Sequence, residues 1–200
     1  MVALFLASLA LAADPTGFSL ETRYTNSFGP DAWGSLHFRA DAQPGLQVGA
    51  LLIGGNRDAA IATTRRTLRL TDEVVVGFEL QLGMIRTVNK DQPGGPTAGF
   101  ATETRVAFDP LTVHLEGGHL HGIGLFAEGG VDVALAEAWT LSPRLRAETW
   151  SGDRDPALRV QMGLGHSWRS GFFVSAAGSA GGRDVVHMGP GFTFDIGRSL

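Results

Sequence analysis

The chain has 200 residues, of which 44% are apolar and only 18% charged, with a formal net charge of −4. That balance excludes intrinsic disorder, and with no basic block in the chain nucleic acid is excluded as a partner. There is no cysteine, and the 28 glycines are scattered without a period, so disulfide scaffolds, thiolate metal sites and collagen are excluded as well.

The first element is apolar. Met1 to Ala13 reads MVALFLASLALAA, too short to cross a bilayer as a helix, and no Lys or Arg precedes it. It ends in Ala10-Leu11-Ala12, the small-x-small pattern of a signal peptidase site, and Asp14-Pro15 then stops any helix. Residues 1–12 are therefore read as a signal peptide. No linker or shift in composition follows, so residues 13–200 are read as one domain.

From there the period is two. Phe18, Leu20, Thr22 and Tyr24 alternate with Ser19, Glu21, Arg23 and Thr25; Gly34, Leu36, Phe38 and Ala40 alternate with Ser35, His37, Arg39 and Asp41. The pattern predicts twelve strands over 17–27, 32–42, 45–54, 61–70, 74–87, 99–108, 111–120, 122–135, 139–150, 157–168, 171–180 and 184–196. Most have the length that a tilted strand needs to cross hydrocarbon. The weakest is 61–70, where Arg66 interrupts the apolar face; without such segments the count falls to eight or ten.

The connections alternate between two kinds. Gln43-Pro44, Thr71-Asp72, Asp109-Pro110, Ala136 to Ala138 and Arg169-Ser170 are tight, whereas Gly29 to Asp31, Gly55 to Ala60, Val88 to Ala98, Ser151 to Pro156 and Gly181 to Arg183 are mostly longer. Gly117 to Gly122 is the least distinct member of the second kind. Short turns at one end and longer loops at the other are the habit of an antiparallel up-and-down transmembrane β-barrel.

Each strand has one apolar and one polar face. The polar face collects Glu21, Arg23, His37, Arg39, Asp41, Arg69, Glu79, Glu103, Arg105, His114, Glu116, Glu128, Asp132, Arg144, Arg146, Glu148 and Arg159. So many charges in the dry core of a small soluble domain would be very costly. A wet barrel lumen removes the conflict, with the apolar face toward lipid. The competing assignment swaps the faces and gives a soluble periplasmic barrel that binds an apolar ligand. Aromatic residues near the predicted strand ends suit the two interfaces of a membrane. Trp33, Phe28, Phe100 and Trp150 mark one end, and Phe18, Phe108, Trp139, Trp168, Phe172 and Phe194 the other. Trp33 and Trp150 fall on the lumen parity.

The whole mature chain, closed by Val186-His187-Met188-Gly189-Pro190-Gly191-Phe192-Thr193-Phe194-Asp195-Ile196, resembles the bacterial outer-membrane β-barrel superfamily. The resemblance implies a place in the bacterial outer membrane, the lipid bilayer and the barrel-assembly machinery as partners, and small solutes as passengers. It names no activity. A monomer without a cofactor is expected, acting as a small passive channel or a structural envelope protein.

Two local patterns suggest other chemistry. His114, Glu116, His119 and His121 would form a metal cluster if the strand bent at Gly117-Gly118. Gly165-His166-Ser167 suggests a lipid hydrolase on the same barrel, but neighbours on a strand point to opposite faces, so His166 and Ser167 cannot act on one another. No catalytic residue is assigned.

Overall fold

A computed structural model describes residues 20–27, 33–55, 57–87, 94–136, 138–150, 157–169, 172–182 and 189–198. For residues 20–27, 33, 55, 57, 87, 150, 182, 189, 190, 197 and 198 only the backbone path is described. The proposed signal peptide, Phe18, Phe28 and the loops at 29–31, 88–93, 151–156 and 183–188 lie outside the described residues.

Twelve strands follow one another: β1 Leu20–Ser27, β2 Trp33–Gln43, β3 Leu46–Gly55, β4 Arg57–Arg69, β5 Val74–Thr87, β6 Gly95–Phe108, β7 Leu111–Leu120, β8 Gly124–Ala136, β9 Trp139–Trp150, β10 Ala157–Ser167, β11 Phe172–Gly182 and β12 Gly189–Arg198. Each pairs antiparallel with the next, and β12 pairs with β1 from Glu21↔Gly197 to Ser27↔Gly191, so the sheet closes into a barrel. Closure leaves no edge strand and satisfies the strands' hydrogen bonds internally, as a membrane requires.

The faces settle which side is which. On β5, Phe78, Leu80, Leu82 and Met84 are exposed, Leu80 by 66%, while Glu79 between them is 4% exposed and Gln81 7%. On β10, Leu158, Val160, Met162 and Leu164 are exposed in the same way. Outward apolar stripes on strand after strand are incompatible with water and form a belt for lipid. The soluble arrangement, with the stripes turned into a core, is overturned.

Twelve strands are present, not eight or ten. The weakest predicted strand is longer than expected, running from Arg57 rather than residue 61. Arg66 does point outward, beside Phe78 on β5. It lies three residues from the end of β4, close enough for a long side chain to carry its charge toward the headgroups. β6 likewise starts at Gly95, so Phe100 lies within the apolar belt and does not open a strand.

Five connections at one end stay tight. At the turn between β4 and β5, Thr71 Oγ1 accepts the N–H groups of Glu73 (3.2 Å) and Val74 (3.1 Å) and donates to the Glu73 carboxylate at 2.8 Å. At the other end two connections are shorter than predicted. Only residue 56 separates β3 from β4, and residues 121–123 alone join β7 to β8.

Candidate functional site

The barrel encloses a cavity of about 560 Å³. Alternation sends every second side chain into it. Ser35, His37 and Arg39 enter from β2, Glu79 and Gln81 from β5, Glu103 and Arg105 from β6, His114 and Glu116 from β7. Glu128 and Asp132 enter from β8, and Arg144, Arg146 and Glu148 from β9. Of the residues singled out from the sequence, Arg159 bonds Ser179 on β11 at 3.4 Å. Glu21 and Arg23 lie on β1, opposite Arg39 and His37 of β2, and their side chains lie outside the description.

These groups form a lattice of ion pairs that crosses strands. Arg39 reaches over β3 and β4 to Glu79, 2.9 Å away, with His37 3.9 Å from the same carboxylate and Gln81 donating to it at 2.8 Å. Arg65 of β4 reaches over β5 to Glu103 of β6, which Arg105 also contacts. His114 stands 3.8 Å from Glu103 and 2.5 Å from Asp132, and Arg144 holds Asp132 at 2.7 Å. Arg146 lies between Glu148 (3.0 Å) and Glu128 (3.4 Å), above the ring of Phe126. The bonds are charge-assisted and mostly shielded, which holds the guanidiniums against the wall.

Glycine makes the flat course of one of them possible. Gly77 lies beneath Arg65, so that a Cβ there would sit 3.1 Å from Nη2 and 3.2 Å from Nε. On the other wall, Gly163, Ser175, Ala177 and Thr193 of β10–β12 are small. The open space is bounded by the lattice on one side and by these short side chains on the other.

Sequence reasoning missed Arg65 and Asp195. Arg65 shares the lumen parity of Arg69, but the uncertainty over its strand hid it. Asp195 accepts a bond from Ser175 at 3.2 Å. It also missed an apolar patch at the end of the lumen where β3 meets β4 and β7 meets β8. There Ala59, Ile61, Leu120 and Ile123 are buried together, with Leu51, Ile53 and Ile85 packed against them. Ile123 belongs to the turn 121–123, which folds inward. His121 N–H donates to the Ala98 carbonyl (3.0 Å) and Thr97 Oγ1 donates to the His121 carbonyl (2.5 Å). Gly122 has φ +77°, a backbone that favours glycine, and a Cβ there would meet Ile85 Cδ1 at 2.9 Å.

The other two patterns do not assemble. β7 runs unbroken from Leu111 to Leu120, so no bend forms at Gly117-Gly118. His114 faces the lumen, whereas His119 pairs with Phe100 and Leu125 on the outer face, and no group of three metal-ligating side chains exists among the described residues. His166 lies on the outer face between Trp139 (4.6 Å) and Trp168 (4.4 Å), with Phe172 beyond, and its Nδ1 has no hydrogen-bond partner among the described residues.

No family model matches the chain, and no curated protein matches its sequence. Solved structures do. The chain is similar to the KdgM porin in complex with disordered oligogalacturonate, with TM-score 0.65 and 11% identity over 91% of this chain and 99% of that one. It is similar also to the NanC porin, with TM-score 0.59 and 12% identity over 90% of this chain and all of the other. The fold is that of the outer-membrane porins. At this identity the likeness is one of architecture.

Proposed function

We propose that the protein is a passive channel of the bacterial outer membrane, with a narrow, internally braced lumen and little preference between small cations and anions. The supporting observation is one closed ring with an apolar belt outside and a polar, charge-lined cavity within. The KdgM neighbour is described with an acidic oligosaccharide. Here, among the described side chains, five arginines line the cavity with seven carboxylates, and every one of those arginines has an acidic partner. A lumen so neutralised suits small polar solutes better than a polyanion. Residues 1–12 serve as the export signal, the barrel-assembly machinery inserts the mature chain, and the monomer is the working unit.

Recording from planar bilayers tests this reading. The purified protein should give small, stable conductance steps, and a salt gradient should give a reversal potential near zero or slightly on the cation side. A silent bilayer from protein that migrates as a folded barrel would overturn the channel.

A further inference from the structure

Resting on the channel reading, we propose that the mouth at the end where β3 meets β4 and β7 meets β8 holds a binding site for small amphipathic zwitterions. Apolar amino acids and short apolar peptides are such solutes, with a head of both charges and an apolar side chain. Two features on the same inner wall carry the inference. The first is the apolar patch. Leu51, Ile53, Leu120 and Ile123 line the cavity, Ile61 is buried behind them and Ile85 packs against them. An apolar wall inside a water-filled channel gives ions nothing to bind and gives an apolar side chain a place to shed water. The patch is also assembled on purpose by the fold. The turn 121–123 is tied over β6 by His121 and Thr97, and its glycine lets the backbone close on Ile85.

The second feature is the adjacent ionic lattice. Leu51 is paired with His37, and two residues further along β2 lies Arg39, held by Glu79. A zwitterionic head placed there meets a guanidinium and a carboxylate together and can exchange with the existing pair without leaving a charge unmatched. A simple anion or cation satisfies only one of them. The cavity is large enough for a solute of amino-acid size beside the lattice.

Leucine and asparagine separate the two contributions, because their side chains share the same number and branching of heavy atoms on the same zwitterionic head and differ chiefly in polarity. The measurement is reversible reduction of the ion current through single channels by each amino acid at neutral pH. Leucine should act at a concentration at least about threefold lower than asparagine. That ratio should fall toward one in Ile123→Ser and in Leu51→Ser, each read against that variant's own unblocked current. Two variants are used so that misfolding of one, seen as loss of heat-modifiable gel migration, leaves the other to decide. Equal action of the two amino acids on the wild type, or an unchanged ratio in a folded variant, would overturn this site and leave the channel standing. Absence of any ion current would remove the channel and the site with it.

Discussion

Arg39 on β2 and Glu79 on β5 meet at 2.9 Å across two intervening strands, with side chains only 8% and 5% exposed. A bond of this reach ties four strands of the ring from within. It also creates a liability, since removing one member leaves a shielded charge with less compensation. Glu79→Gln should destabilise the barrel by about 3 kcal/mol, whereas the double change Arg39→Met with Glu79→Leu should cost clearly less. Urea titration of folding into lipid vesicles measures both, and a double variant weaker than Glu79→Gln would refute the account.

Gly77 gives a second test of the lattice. Leucine at that position would force the Arg65 guanidinium away from Glu103, and overpacking of this kind costs about 1–3 kcal/mol. In an Arg65→Ala background the space is already free, so the same change should be nearly neutral. The two substitutions should thus be strongly coupled in a double-mutant cycle. Simple additivity would show that Gly77 serves the strand and not the arginine.

The inward and outward faces of β10 predict opposite tolerance at neighbouring positions. Met162 is outward and central in the strand, and Gln161 lines the lumen opposite Arg144. Met162→Arg should cost about 2–4 kcal/mol, as expected for an arginine in mid-membrane. Gln161→Arg should cost much less and shift the reversal potential toward anions.

Outside the membrane span, the Thr71 hydroxyl and the residue's own backbone N–H hold the Glu73 carboxyl below its usual value. A carboxyl depressed in the folded state adds stability above its unfolded pKa, and that contribution disappears as pH falls through the folded value. Thr71→Ala should raise the Glu73 pKa toward the ordinary range and flatten this part of the acid dependence. A carbon-detected titration of labelled glutamate reads it directly; an unmoved Glu73 would assign the depression to the backbone alone.

Much of this architecture was legible because a membrane barrel writes its two solvents into alternate residues. The strand Phe78 to Met84 needs little else to be recognised. The signal failed where the lumen itself is apolar. Ala59 faces inward beside Ile61, so the part of β4 before residue 61 looked like loop, and the inward turn at 121–123 carried no polar contrast to mark it. The ionic lining was readable as a set of charges, but its pairing was not. Arg39 finds Glu79 forty residues away, a partnership set by the stagger of the ring and absent from local spacing.

Eleven of the twelve strand pairings join consecutive strands, and only β1 with β12 joins segments from opposite ends of the sequence. Hairpins can form in any order as the chain enters the bilayer, but the seam waits for the last strand. Until then both flanking strands carry open hydrogen-bonding edges in lipid, at a cost of several kcal/mol for each unsatisfied group. The seam therefore makes insertion all-or-none: a chain lacking β12 would not be a slightly smaller pore but an open sheet with two sticky borders. Moving the break to the β6–β7 turn by circular permutation would relocate that vulnerable moment while keeping the same order of strand pairing in the finished ring.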